Sequence, residues 1–141
     1  MFSLKTSAAF DSAHFLAGYN GKCANLHGHR WQVEVTVQSE TLCASGQQRG
    51  MLIDFHNLKA AVKCLADRYD HALIYEEGSL KPATVAALQD EQFHLIAVPF
   101  RPTAEHFAKA FFEELSAEGL PVRRVTVYET PDNCAVYEVT P

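Results

Sequence analysis

The 141-residue chain has no apolar run approaching the roughly 20 residues a membrane-spanning helix needs. Its first residues, Met-Phe-Ser-Leu-Lys-Thr-Ser, lack the apolar stretch of a secretory signal, so a cytoplasmic protein is expected. It has no Cys-x-x-Cys pair. Cys23, Cys43, Cys64 and Cys134 are scattered, which excludes a zinc ribbon and a thioredoxin-type motif and predicts four free thiols in a reducing compartment. Cys64 in a helical pattern and Cys134 in a strand pattern read as small buried hydrophobes. Nor is there an excess of positive charge: 12 basic against 17 acidic residues give a formal charge of −5, with no global attraction to nucleic acid or an anionic membrane. An anionic ligand must be met by local charge. Repeats, low-complexity tracts and linkers are also missing, so one domain spanning residues 1–141 is expected.

What is present is a clear order of elements. Residues 2 to 14 read as a strand with Phe2, Leu4, Ala8, Phe10 and His14 on one parity. Trp31, Val33, Val35 and Val37 alternate with Gln32, Glu34, Thr36 and Gln38, the pattern of a half-buried strand. Asp54 is placed to cap a helix whose apolar face is Phe55, Leu58, Val62, Leu65 and Tyr69. A second helix is predicted from Thr103, with Phe107, Phe111 and Leu115 inward, Glu105 in its first turn, and Gly119 and Pro121 ending it. Strands follow at about 122 to 129 and 134 to 140 around the turn Thr-Pro-Asp-Asn. This strand, strand, helix, helix, strand, strand order predicts an α+β fold: a four-stranded antiparallel sheet with two helices on one face. Residues 76 to 101 form an insertion, in which Lys81 to Gln92 fits a short helix and Phe93 to Val98 a short strand.

The chemistry begins at Cys23-Ala-Asn-Leu-His27-Gly-His29-Arg-Trp31. Side chains two apart on a strand share a face, so His27 and His29 can reach one metal ion together, with Gly28 letting the backbone approach closely. His14, at the end of an adjacent antiparallel strand, is the natural third ligand. Three histidines leave the fourth position of zinc open, as in a catalytic site, unless Cys23 fills it and closes the sphere. Asp70-His71 follows the first helix, where a histidine oriented by a carboxylate near a thiol would make a proton relay. Glu129 shares parity with Val125 and Val127, which aims a carboxylate toward the apolar side of its strand. Such a group needs a partner to offset desolvation, and the amidine-like edge of a heterocycle offers two parallel hydrogen bonds.

Six ordered motifs together resemble the 6-pyruvoyl-tetrahydropterin synthase family of tunnelling-fold enzymes over nearly the whole chain: Phe-Asp-Ser-Ala-His14, Cys23-Ala-Asn-Leu-His-Gly-His29, Leu-Ile-Asp-Phe55, Tyr-Asp-His71, Pro-Thr-Ala-Glu105 and Tyr-Glu-Thr130. The resemblance implies zinc, one per chain, on His14, His27 and His29, with Cys23 as catalytic base. It implies a relay of Asp70 and His71, a pterin anchor at Glu129 that also belongs to the relay, and help in holding the ring from Thr103 and Glu105. Position 104 is alanine where some relatives have a second threonine. The three residues between Cys23 and His27 resemble the carboxy-forming bacterial branch, 6-carboxytetrahydropterin synthase, rather than the animal pyruvoyl-forming enzymes, where the gap is longer.

The reaction so implied is a lyase step. It converts 7,8-dihydroneopterin triphosphate and water to 6-carboxy-5,6,7,8-tetrahydropterin, acetaldehyde and triphosphate, toward queuosine and other 7-deazapurines. Lys22, beside the cysteine, is a candidate triphosphate contact. The family further implies that three subunits join their sheets into a β-barrel and that two such rings stack as a homo-hexamer.

Overall fold

The computed structural model describes residues 1–140. Alternation along the second strand places Trp31, Val33, Val35 and Val37 on one face, and all four are fully buried. This strand, β2 (His27–Ser39), pairs antiparallel with β1 (Phe2–His14), with Leu4 opposite Val37, Ala8 opposite Val33 and Phe10 opposite Trp31. The strand after β2 in the sheet is Val122–Thr130, antiparallel, with Val127 opposite Val33 and Val125 opposite Val35. Its hairpin partner is Asn133–Glu138. The four strands predicted from sequence therefore form one contiguous antiparallel block.

The sheet nevertheless has six strands and is mixed. After α1 (Phe55–Tyr69) comes β3 (Ala72–Glu76), then α2 (Pro82–Asp90), β4 (Leu95–Val98) and α3 (Ala104–Ala117), which makes Val122–Thr130 β5 and Asn133–Glu138 β6. Strand order is β4-β3-β1-β2-β5-β6, with β3 parallel to the end of β1 and β4 parallel to β3. The class remains α+β, but four strands become six and two helices become three. The expected order is interrupted by a β-α-β unit, because a parallel pair needs a crossover and residues 77 to 94 supply one. The short helix and strand expected within the insertion are α2 and β4. What the pattern missed is β3, a five-residue run buried by long-range pairing rather than marked by alternation.

Helices α1 and α3 cover one face of the sheet. The Asp54 carboxylate accepts the His56 N–H at 2.8 Å and starts α1, which buries Leu58, Val62, Leu65 and Ala66. Phe55 is 55% exposed, because it sits in the first turn at the end of the apolar stripe. Thr103 caps α3 by accepting the His106 N–H at 3.3 Å. The helix ends where Gly119, at φ 91°, lets the Leu120 N–H reach the Leu115 carbonyl and its own N–H reach that of Ser116. Between helices and sheet lie Phe10, Trp31, Phe107 and Phe111, and burying each such side chain stabilises the fold by roughly 1.5–3 kcal/mol. Cys64 and Cys134 are exposed rather than buried. Cys64 falls outside the Leu58-Val62-Leu65 stripe, and Cys134 pairs with Tyr128 on edge strand β6, away from the parity of Val125 and Val127. All four thiols are free. No helix among the described residues is long and apolar enough to cross a membrane.

Candidate metal centre and active site

The alternation that buries Trp31 continues past the core. His29 and His27 precede it on the same face, and the β1 register sets Ser12 opposite His29 and His14 opposite His27. Three imidazoles meet at that end of the sheet, with ring centroids 4.6 Å apart for His14 and His27, 5.2 Å for His14 and His29, and 5.0 Å for His27 and His29. Trp31 packs edge-on to two of them, 5.0 Å from His14 and 5.4 Å from His29.

Backbone carbonyls set two of the rings. His14 Nδ1–H donates to the Pro102 carbonyl at 2.8 Å and His27 Nδ1–H to the Asn25 carbonyl at 2.6 Å. A carbonyl only accepts, so Nδ1 carries a proton, and in the neutral ring the lone pair is then on Nε2. The Nε2 atoms of His14, His27 and His29 are all buried and all without a hydrogen-bond partner. One ligand atom from each ring lies within 4.8 Å of the other two. A buried polar atom left unpaired costs about 1–3 kcal/mol, and a cation held among the three nitrogens would remove that cost. Burial lowers the pKa of His14, against the raising effect of the Pro102 carbonyl, and burial likewise lowers that of His29 despite nearby Glu129. Both are thus held in the neutral form that binds metal. The donor set fits zinc with an open fourth position, and Cys23 is not a member of the ligand group among the described residues.

Glu129, near the end of β5, brings Oε1 to 3.3 Å from His29 Nε2, and its side chain is about one-third exposed. With Gly28, Arg30, Gln32 and Tyr128 it lines a cavity of about 510 Å³. Asp70 and His71 are fastened to the backbone of β1. The Asp70 carboxylate accepts the Asp11 N–H at 2.8 Å, and the His71 N–H donates to the Asp11 carbonyl at 2.6 Å. The other Asp70 oxygen accepts from His71 Nδ1 at 2.8 Å. The Asp11 N–H, and then His71, lower the Asp70 pKa, while the hydrogen bond that His71 donates to Asp70 raises the pKa of His71. His71 has a φ of 53°, in the left-handed region where a non-glycine residue is uncommon. Its side chain lines a second cavity, of about 650 Å³, shared with His29, Arg30 and His94.

The family model described as 6-pyruvoyl tetrahydropterin synthase matches residues 3–140. The chain belongs to that family. Among curated relatives, the 6-carboxy-5,6,7,8-tetrahydropterin synthase of Haemophilus influenzae is 38% identical over 98% of this chain and 99% of its own. The protein of that name from Synechocystis is 30% identical, covering 97% and 93%. Among solved structures, an uncharacterised protein from Wolinella succinogenes aligns with a TM-score of 0.80 at 22% identity, covering 97% of both chains. The 6-pyruvoyl tetrahydropterin synthase of Caenorhabditis elegans aligns at 0.68 and 22% identity, covering 99% of this chain and 96% of its own. These two share the fold.

In this member of the 6-pyruvoyl tetrahydropterin synthase family, the remaining sequence-predicted residues are not part of the three-histidine group. Cys23 is half-buried in a single 3-10 turn, Lys22–Ala24, and its carbonyl accepts the Leu16 N–H at 2.9 Å. Lys22 is exposed. The Thr103 hydroxyl is engaged as the cap of α3, and Glu105 is exposed on its first turn. No hydrogen bond joins Cys23 to Asp70, His71 or Glu129 among the described residues. Gly28 is not forced by close packing within the chain, since an added Cβ would stand an ordinary 3.4 Å from the Ser12 carbonyl. What sequence reasoning missed are backbone groups, the carbonyls of Asn25 and Pro102 and the amide of Asp11, which leave no residue-type signature. All three residues lie inside motifs quoted from the sequence, but nothing there marks their backbone groups.

Proposed function

We propose that this chain is a 6-carboxy-5,6,7,8-tetrahydropterin synthase, a lyase acting on 7,8-dihydroneopterin triphosphate and water to release the carboxypterin, acetaldehyde and triphosphate. The observation that carries the reading is the convergence of three buried Nε2 atoms, none of them hydrogen-bonded, at the end of β1 and β2, in a chain whose near full-length relatives bear that name. His14, His27 and His29 would hold zinc, which when bound polarises the oxygens of the substrate side chain and makes the adjoining carbon acid. Cys23 takes the proton as thiolate. His71, oriented by Asp70 and with its pKa raised toward the charged form, exchanges protons with the side-chain hydroxyls. Glu129 accepts two parallel hydrogen bonds from the pterin edge, Thr103 and Glu105 border the ring, and Lys22 meets the triphosphate. One domain, residues 1–141, is the unit. The unpaired edges of β4 and β6 are taken up by neighbouring copies in a β-barrel within a cytoplasmic homo-hexamer. The product feeds synthesis of queuosine or another 7-deazapurine.

Incubation of the zinc-loaded protein with 7,8-dihydroneopterin triphosphate, followed by mass spectrometry, tests this. The expected result is acetaldehyde and triphosphate in equal amount together with the carboxypterin. Triphosphate without acetaldehyde, together with a pyruvoyl pterin, would assign the chain to the other branch.

A further inference from the structure

The connection from β1 to β2, residues 15 to 26, carries Cys23. Inside it run hydrogen bonds from the Leu16 N–H to the Cys23 carbonyl (2.9 Å), the Tyr19 N–H to the Leu16 carbonyl (3.3 Å) and the Ala24 N–H to the Gly21 carbonyl (3.1 Å). The tie that reaches it from a distant part of the chain is a side chain: Arg101 Nη2 donates to the Ala17 carbonyl at 2.6 Å, across 84 residues. The guanidinium lies over the turn at Gly18, whose φ is +74° and where an added Cβ would stand 3.6 Å from Nη2. Arg101 is itself fixed. Its carbonyl accepts the Thr103 N–H at 2.8 Å and the His106 Nδ1–H at 2.9 Å, which binds it to the first turn of α3. The next residue, Pro102, supplies the carbonyl that orients His14. Two consecutive residues thus hold the two halves of the site, one the loop with Cys23 and the other a ring of the metal centre.

We propose that Arg101 is a positioning residue, which sets the cysteine loop against the three-histidine centre through its hydrogen bond to Ala17. The inference rests on the reading of Cys23 as the base, and Arg101 touches neither metal nor substrate in it. A charge-assisted bond from a rigid, planar donor fixes direction as well as distance. Without it the loop keeps only its internal hydrogen bonds and the strand ends, while the core beneath α1 and α3 is untouched. A displacement of about 1 Å at a reacting group lowers the rate by roughly a hundredfold.

The test compares the full-length, zinc-loaded parent with Arg101→Ala and Arg101→Lys. It measures kcat and KM on 7,8-dihydroneopterin triphosphate, zinc content, and the rate at which iodoacetamide labels each cysteine, resolved by peptide mapping. Cys43, Cys64 and Cys134 are exposed and serve as internal references. For Arg101→Ala the expected result is a fall in kcat of roughly ten- to a hundredfold with little change in KM. Zinc is retained, and the labelling rate of Cys23 changes alone. Arg101→Lys, which keeps a donor, restores much of the loss, and so does added guanidinium ion with the alanine variant. Unchanged kcat and unchanged Cys23 labelling overturn the proposal. So does a loss confined to KM, which would make Arg101 a substrate contact, and so does loss of zinc with all four thiols altered, which would make it a general structural residue. If the parent itself fails to turn over the pterin, the proposed activity falls, and the Cys23 labelling comparison alone then decides the role of Arg101.

Discussion

Metal bound to His14, His27 and His29 becomes part of the stability of the fold, because the site exists only in the folded chain. Free zinc at a hundredfold over its Kd adds about 2.7 kcal/mol. For a chain of this length 1 kcal/mol shifts Tm by about 3–5 °C, so the zinc-loaded protein should melt roughly 8–13 °C above the chelated one. Replacing His14 by alanine then tests whether the increment comes from this site. The variant loses the hydrogen bond to Pro102, worth about 1 kcal/mol, and the packing against Trp31, which by analogy with other large-to-small changes is worth about 2–3 kcal/mol. Set against this, it also loses a buried, unpaired Nε2 that costs about 1–3 kcal/mol. These contributions net to about 0–3 kcal/mol, so the metal-free variant should melt roughly 0–15 °C below the metal-free parent. The discriminating quantity is the difference between zinc-loaded and chelated Tm, measured by calorimetry on both proteins alongside elemental analysis. It should be near zero for His14→Ala. An undiminished increment in the variant, still with one zinc per chain, would refute the three-histidine centre.

Three further outcomes are expected. Cys23→Ala should keep its zinc and still bind substrate while losing roughly 10²- to 10⁴-fold in kcat; loss of metal and of folding together would instead make Cys23 a ligand of a structural site. Glu129→Ala should weaken binding of a pterin such as sepiapterin by roughly a hundredfold, since two charge-assisted hydrogen bonds disappear, and unchanged affinity in calorimetric titration would remove Glu129 from the site. Asp70→Asn should lower the His71 pKa toward its ordinary value, followed by NMR of the ring protons. The pair's contribution to stability is present below the ordinary histidine pKa and is lost as pH rises through the raised value of His71; on the acid side it is lost as pH falls through the depressed value of Asp70. A His71 titration identical in both proteins would show that the carboxylate does not act on it.

Much of this arrangement was legible because periodicity and register are local. The alternation from Trp31 to Val37 fixes which face of β2 is buried, and counting back along it puts His29 and His27 on that face without any structure. The parity of β1 does the same for His14, and the observed register sets it opposite His27. The capping of α1 by Asp54 and of α3 by Thr103 was equally readable, because a side-chain oxygen must meet an orphan N–H at those positions. What was not legible is what arrives from far along the chain. β3 exists because Ser12, Ala13 and His14 accept it as a parallel neighbour, and its five residues carry no alternation to announce that. The Pro102 carbonyl and the Asp11 amide could be any residue's backbone. Arg101 reads as an ordinary loop arginine until the fold brings Ala17 to it.

The exposure of Asp70 and His71, the proposed relay, bears on assembly. His71 has a side chain 80% exposed, and Asp70, though pinned to Asp11, is more than one-third exposed. A proton relay open to solvent loses the advantage of a dry site, in which electrostatic interactions are stronger and stray proton exchange is suppressed. The Nε2 atoms of the three imidazoles, by contrast, are already buried within a single chain, and so is Trp31 behind them. The three nitrogens of the proposed metal site gather within one copy, whereas the proposed relay is left open to solvent. That imbalance favours the proposed barrel, in which a neighbouring copy would cover His71 and bring it to a cysteine other than its own. Mixing inactive Cys23→Ala protein with inactive His71→Ala protein, under conditions that exchange subunits, distinguishes the two geometries. A relay acting across copies predicts recovered turnover in mixed assemblies, where some sites combine an intact Cys23 with an intact His71. A relay confined to one chain predicts none.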